Sequence, residues 1–475
     1  MLLDAYKEKK ITFVMGAGAS LPFITDCDTC LSTKYLTEQI SERDKWIAIY
    51  DEFKKNIPSK RFPEYNFNVT LDDILSVIKK LKEINEREVS SKFREQVLMP
   101  FPEKIDDYYG IGKINFEHIL YLLDKVCNYL YDRKNSVDNI LFDIWEGDDK
   151  QRQELRLKKG WNYVPYLCRE VLIKAILDLW ESFEKKKAIE DNRQFFTSVL
   201  EKFKAVSIYS LNYDSLLYEA IKHIKVKGFK RLGETKHEVD KVFETGFSDG
   251  NEFNPKKFYL NDNVIAFLHG HIGFVPGDKD NIRFNDVYSN AQKIRISGVA
   301  RGQVGYFRRG PKGIHYNVSI TSGLDKFESF YDNPYACYIQ RFSGDVMESD
   351  YVVFIGSGLG DYHINLFATT AWRLANGYAE EPRNLFCLRK PELGRKKIII
   401  VTISQATQGF LNLLGLTDIG TRLYGLLKEG ISWNGEITDS SLKNNGYANI
   451  NEGLFLYLNG TEKFFSEIWS INDLF

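Results

Sequence analysis

The residues best suited to chemistry stand at the ends of short apolar runs. Val264 to Leu268 closes on His269-Gly270-His271, Ala205 to Leu211 runs into Asn212-Tyr213-Asp214, and Tyr351 to Ile355 stops at Gly356-Ser357-Gly358-Leu359-Gly360-Asp361. An imidazole has an ordinary pKa of about 6.5, which suits a general base near neutral pH, and such a base is typically worth ~10² to 10⁴ in rate. Gly270 behind His269 allows a ligand close to the backbone. His269-x-His271 also spaces two imidazoles along one side of a strand for a metal, but no obvious third ligand accompanies them and no metal is expected. Asn212 and Asp214 are suited either to ligand chemistry or to capping the helix outlined by Leu216, Leu217 and Ala220.

A fourth run, Ile11 to Met15, ends in Gly16-Ala17-Gly18-Ala19-Ser20. Backbone amides of such a turn, helped by a following helix N-terminus, favour the anionic oxygens of a diphosphate without any basic side chain. A plain tight turn between strand and helix is the alternative. The late glycine turn adds an acid, Asp361, of the kind that accepts hydrogen bonds from ribose hydroxyls.

Short, wholly apolar runs are the pattern of buried parallel strands, so these polar ends would share the rim where open α/β sheets bind ligands. Asn384 to Leu388 and Lys397 to Val401 read as further strands. Between the first two strands, residues 32–204 read as mainly helical. Thr70 and Asp73 form a capping box ahead of a stripe of Leu71, Ile74, Leu75 and Ile78. Asn115 starts a second helix with Phe116, Ile119, Leu120, Leu123 and Leu130 buried, and Asn115-Phe116-Glu117 reads as a cap or, less commonly, a ligand contact. A third helix covers Val164 to about Lys187. The expected organisation is an α/β core of residues 1–31 and 205–402, a helical insertion or cap over 32–204, and a small mixed extension over 403–475.

A chain of 475 residues with 43% apolar and 27% charged side chains buries a substantial core, and its length calls for two to three domains or one with a large insertion. Its formal charge of −1 argues against whole-protein attraction to nucleic acid or anionic lipid. The first ten residues hold no secretory core, and the most apolar helical stretch, Val171 to Trp180, contains Lys174 and Asp178 and is too short to span a bilayer. A cytoplasmic protein is expected. Six thinly spread cysteines suit a reducing compartment, and the one Cys-x-x-Cys, Cys27 and Cys30, has no second pair to complete a zinc site. From Val287 to Leu324 there is no acid, while Lys293, Arg295, Arg301, Arg308, Arg309 and Lys312 fall among glycines; this segment reads as a lid, a contact for a trigger, or a solvated loop.

In order and spacing, Gly16 to Ser20, Leu211 to Asp214, Leu268-His269-Gly270 and Gly356 to Asp361 resemble the motifs of the sirtuin-like family, and more closely its prokaryotic branch of NAD-consuming anti-phage effectors. Ser210 stands where that branch usually has Thr, and Asn115-Phe116-Glu117 and Pro334-Tyr335 through Ser343-Gly344-Asp345 also look like it. The resemblance implies a Rossmann-like parallel sheet with a large helical insertion, acting as an NAD glycohydrolase that releases nicotinamide and ADP-ribose. It implies that Asn212 and His269 are catalytic and that Gly16, Ala17, Gly18 and Ser20 hold the diphosphate. Asp214, Gly356 and Ser357 would complete the NAD contacts, with Asp361 near the adenosine ribose. NAD is then substrate, with no metal, and the expected partners are further copies of the chain, a HerA-type ATPase or a phage trigger. Protein deacylation is disfavoured, because the chain has no cysteine between His269 and Cys337 and lacks the Ile-Pro-Asp-Phe-Arg element of deacylases. A module that senses NAD or an ADP-ribose-like signal without cleaving it is the alternative from a different class.

Overall fold

The computed structural model describes residues 8–16, 19, 36, 39–40, 43–56, 116–117, 120, 164–182, 185–232, 235–247, 252–276, 282–300, 307–309, 315–317, 320–321, 333–357, 359, 361–376, 396–401, 447–451, 454–457 and 460–467. The chain begins with β1 (Lys10–Met15), α1 (Arg43–Asn56), α2 (Val164–Ser182), α3 (Lys185–Lys202), β2 (Ala205–Ser210), α4 (Leu216–Ile221), β3 (Val226–Leu232) and β4 (Thr235–Lys241). Next come α5 (Pro255–Leu260), β5 (Val264–Phe267), β6 (Phe274–Pro276), β7 (Ile282–Phe284), α6 (Tyr288–Ala300), β8 (Phe307–Arg309) and β9 (His315–Asn317). The last part holds α7 (Tyr335–Glu348), β10 (Tyr351–Ile355), α8 (Tyr362–Asn376), β11 (Lys397–Val401), β12 (Tyr447–Asn451), β13 (Leu454–Tyr457) and α9 (Gly460–Glu467).

Six strands run parallel in the order β5-β2-β1-β10-β11-β13, and β12 pairs antiparallel with β13 at the edge. Counted along the chain, the parallel strands lie in the order 3-2-1-4-5-6 of a doubly wound, Rossmann-like sheet. The order reverses between β1 and β10. The cause is visible in the composition: the central strands ITFVM, AVSIYS, VIAF, YVVFI and IIIV are buried throughout, so both faces need cover.

Helices supply that cover. On one face Phe13 of β1 meets Phe195 and Phe196 of α3 edge to face at 5.8 and 5.5 Å, and Phe195 stacks on Phe465 of α9 at 4.3 Å. Aromatic pairs of this kind contribute about 0.5–1.5 kcal/mol beyond their burial. On the other face Tyr209 of β2 packs against Phe342 of α7 at 4.8 Å. The helix expected over Val164 to Lys187 is two helices serving different partners: α2 packs on α1, whereas α3 lays Phe195, Phe196, Val199 and Leu200 on the sheet side. The C-terminal residues, expected as a small extension, instead give the sheet its sixth parallel strand and the flanking helix α9.

The basic segment after Val287 begins as a helix, α6, and Arg295 within it is fully buried. Its Nε donates to Glu170 Oε1 at 2.9 Å and its Nη1 to the carbonyls of Ile272 and Phe274 at 2.7 and 3.1 Å. Burial pushes the Glu170 carboxyl above its usual range, opposed by the nearby Arg295. Arg295 is thus a brace between α2 and the loop that follows His271. The Thr70–Asp73 capping box and its stripe, Asn115, Ile119, Leu123 and Leu130, Cys27 and Cys30, Arg301 and Lys312, and the strand expected over Asn384 to Leu388 lie outside the described residues. No helix among the described residues is long and apolar enough to cross a membrane.

Candidate active site

Strand register decides which side chains meet. Met15 lies opposite Ser210 and Ile355, Ser210 opposite Phe267, and Ile355 opposite Val401, so the strands end in one row. The ladder then runs one residue further. Gly16 N–H donates to Ile355 O (2.9 Å), Leu211 to Met15 (2.8 Å), Leu268 to Ser210 (2.9 Å) and Gly356 to Val401 (3.1 Å). Asn212, His269 and Ser357, each two residues past the row, therefore emerge on one carboxyl rim, at the reversal point where doubly wound sheets take ligands.

The two glycine turns form one floor there. A Cβ on Gly16 would lie 2.5 Å from Ser357 Cα and 2.6 Å from Gly356 O, so no larger residue fits between β1 and β10. Gly356 has φ 58°, in the left-handed region that glycine adopts without a Cβ penalty. Leu359 holds φ 53°, uncommon for a residue with a side chain, and both its backbone polar groups are engaged. Its N–H donates to Ser357 Oγ at 3.2 Å and its carbonyl accepts from Asn365 Nδ2 at 2.6 Å. Asn212 ties the neighbouring strand end to this floor, its Nδ2 donating to Gly16 O at 3.0 Å. Ala17, Gly18 and Ser20, assigned to the diphosphate from sequence, lie outside the described residues.

His269 sits behind the floor and is buried. Its backbone is fixed by the turn at Gly270 (φ 100°), and its carbonyl accepts from Thr321 N–H at 2.8 Å. Its Nε2 lies 3.2 Å from Asp361 Oδ1 and its Nδ1 3.9 Å from Glu117 Oε1, which sets the imidazole between two carboxylates. His363, in the first turn of α8, brings its ring centroid to 6.5 Å from that of His269. One donor atom from each of His269, Asp361 and His363 lies within 4.8 Å of the others. Tyr213 closes the far side: its hydroxyl lies 3.2 Å from Glu117 Oε1, to which it donates, and its ring is edge-on to Phe116. Burial, with Glu117 and Asp361 nearby, pushes this phenol well above its usual pKa and keeps it a neutral donor.

Asn212, His269, Gly16, Gly356, Ser357 and Asp361 are thus brought together. Asp361 comes to the imidazole, whereas the sequence reading put it at a ribose. Asp214 is buried, and its Oδ1 accepts from Leu216 N–H at 2.9 Å in a local Asx turn one residue ahead of Ser215, the N-cap of α4. His271 leaves the rim altogether. Phe267, Phe274, Phe284, Tyr218 and Tyr288 surround its ring, Nδ1 accepts from Gly273 N–H at 2.9 Å, and burial pulls its pKa down to about 3. The His-x-His metal pair read from spacing therefore does not form, because the Gly270 turn sends the two rings apart.

Glu117, Tyr213 and His363 were not assigned site roles from sequence. Glu117 carried a motif signal that capping explained better than ligand contact, Tyr213 sat inside the Asn212–Asp214 motif, and His363 had no signal beyond its place two residues after Asp361. The chain gives no match to any family model, nor to any curated protein with which it was compared.

Proposed function

We propose that this chain is a sirtuin-like NAD glycohydrolase of the anti-phage effector type, cleaving NAD to nicotinamide and ADP-ribose. The observation that carries the proposal is the meeting of His269 and Asn212 with the paired glycine turns at the reversal point of the sheet. A dinucleotide laid across that crevice puts its diphosphate over the Gly16 turn and its nicotinamide ribose toward Asn212 and His269.

The bond to nicotinamide is weakened by the pyridinium charge, so cleavage calls for a stabilised oxocarbenium-like ribose and a positioned water. Asn212, its amide fixed on Gly16 O, orients that water and the ribose hydroxyls. His269 takes the proton from water or a ribose hydroxyl, and Asp361 and Glu117 face the imidazolium that results. Buried Tyr213 holds Glu117 in place. In the cell the reaction would deplete NAD on infection, with activation by a phage trigger, by self-assembly or by a HerA-type ATPase.

Free nicotinamide released from NAD by the purified chain, alone and with extract of phage-infected cells, tests the proposal. Release by the wild type that Asn212→Ala lacks is the expected result. Tight NAD binding with no release under either condition would shift the assignment to a sensor.

A further inference from the structure

We propose that His269, Asp361 and His363 form a binding site for a divalent transition-metal cation of the zinc class. The donor geometry carries the proposal. One ligand atom from each residue falls within 4.8 Å of the other two. Nε2 of His269 and Oδ1 of Asp361 are 3.2 Å apart, against about 3.4 Å for two ligands on a tetrahedral ion with bonds of about 2.1 Å. The third donor, on His363, lies within 4.8 Å of both.

The scaffold and the donor types agree with that geometry. His269 is held by the Gly270 turn and Thr321, while Asp361 and His363 flank the first residue of α8. Both imidazoles are buried and the Asp361 side chain reaches solvent, which gives an ion a way in. Two imidazoles and one carboxylate select zinc, cobalt or nickel over magnesium or calcium, and three protein donors leave a coordination position open. Metal-bound histidines characteristically face a carboxylate with their other nitrogen. Glu117 Oε1 lies on that side of His269, 3.9 Å from Nδ1.

One consequence rests on the proposed NAD cleavage. An ion on Nε2 of His269 occupies the lone pair that would take a proton, so the metal is an inhibitor of that reaction. The site itself does not depend on it.

The experiment is titration of the chelator-stripped full chain with Co²⁺, read by the visible ligand-field absorption of the bound ion and by competition with Zn²⁺. Expected are one cobalt per chain, displacement by zinc, and affinity at least about tenfold lower in both His363→Ala and the isosteric Asp361→Asn. Circular dichroism identifies any variant that has lost its fold. Absence of a cobalt band in the wild type, or wild-type affinity in both folded variants, overturns the site. Cobalt binding by a wild type that never releases nicotinamide would overturn the NAD reading and leave the metal site standing. Loss of zinc inhibition in His363→Ala would tie the two together.

Discussion

The two ends of the parallel sheet treat their charges differently. At the amino end, carboxylates meet groups that are always charged or are plain donors. Asp350 receives the Lys9 ammonium and the Lys10 N–H, both at 2.9 Å, and Glu348 pairs with Lys10. Asp345 accepts from Arg341 at 2.9 Å and from the hydroxyls of Ser207 and Tyr209 at 2.6 Å. A cavity of about 370 Å³ lies among these residues. At the carboxyl end, carboxylates meet histidines instead: Asp361 and Glu117 face His269, with His363 beside them. A carboxylate fixed on arginine or lysine holds elements together, whereas one fixed on imidazole can follow a proton or share an ion. The carboxylates around the amino-end cavity are tied to fixed cations and donors, and the carboxylates near histidine lie at the opposite rim, where the proposed chemistry is placed.

That contrast can be broken experimentally, starting where the effect is largest. His269→Ala should abolish nicotinamide release, a loss of ~10² to 10⁴, with an unchanged melting temperature; unchanged turnover would remove the catalytic role of the rim. Asp345→Ala should act in the opposite way. It leaves Arg341, Tyr209 and Ser207 without their shared acceptor, at a cost of about 3 kcal/mol in denaturant unfolding, while the folded fraction keeps its kcat. A fall in kcat with stability intact would give the amino end a share in catalysis.

Lys396 sharpens the comparison through pH. Its ammonium is buried against the carbonyls of Val346 and Ser349, and burial lowers its pKa to about 8 from 10.5. The unfolded chain then binds more protons than the folded one between those values, so this group's contribution grows as pH rises from 8 to 10.5 and is absent below 8. At about 1.4 kcal/mol per pKa unit the span is on the order of 3 kcal/mol, and Lys396→Met should flatten that part of the stability profile. Equal profiles for the two proteins would show that burial does not lower the pKa of this lysine. The smallest effect expected is that of Asp214→Ala, about 1 kcal/mol of stability for the lost hydrogen bond to Leu216 N–H. A rise in KM for NAD without that loss would return Asp214 to the ligand.

Much of the fold was legible because a buried parallel strand cannot be anything but apolar. The runs beginning at Ile11, Ala205, Val264, Tyr351 and Lys397 all became strands within a residue or so of their expected ends. Strand ends in turn announced Asn212 and His269. What the sequence left open depends on register and turn geometry. Nothing in His269-Gly270-His271 tells which ring goes to the carboxylates and which to an aromatic cage, since the φ of Gly270 decides it. Arg295 read as part of a basic segment because its partner Glu170 is 125 positions away. His363 joins the site only because α8 starts immediately after the glycine turn.

The close approach of Gly16 to Ser357 has a consequence for biosynthesis. The floor of the crevice joins residues more than 300 positions apart, so the ribosome must pass Ser357 before β1, already paired with β2, gains its second neighbour β10 and the turn its backing. A nascent or truncated chain carries Gly16, Asn212 and His269 without a crevice to hold a dinucleotide. If the proposed NAD cleavage holds, the chain would lack a working site through most of its own synthesis.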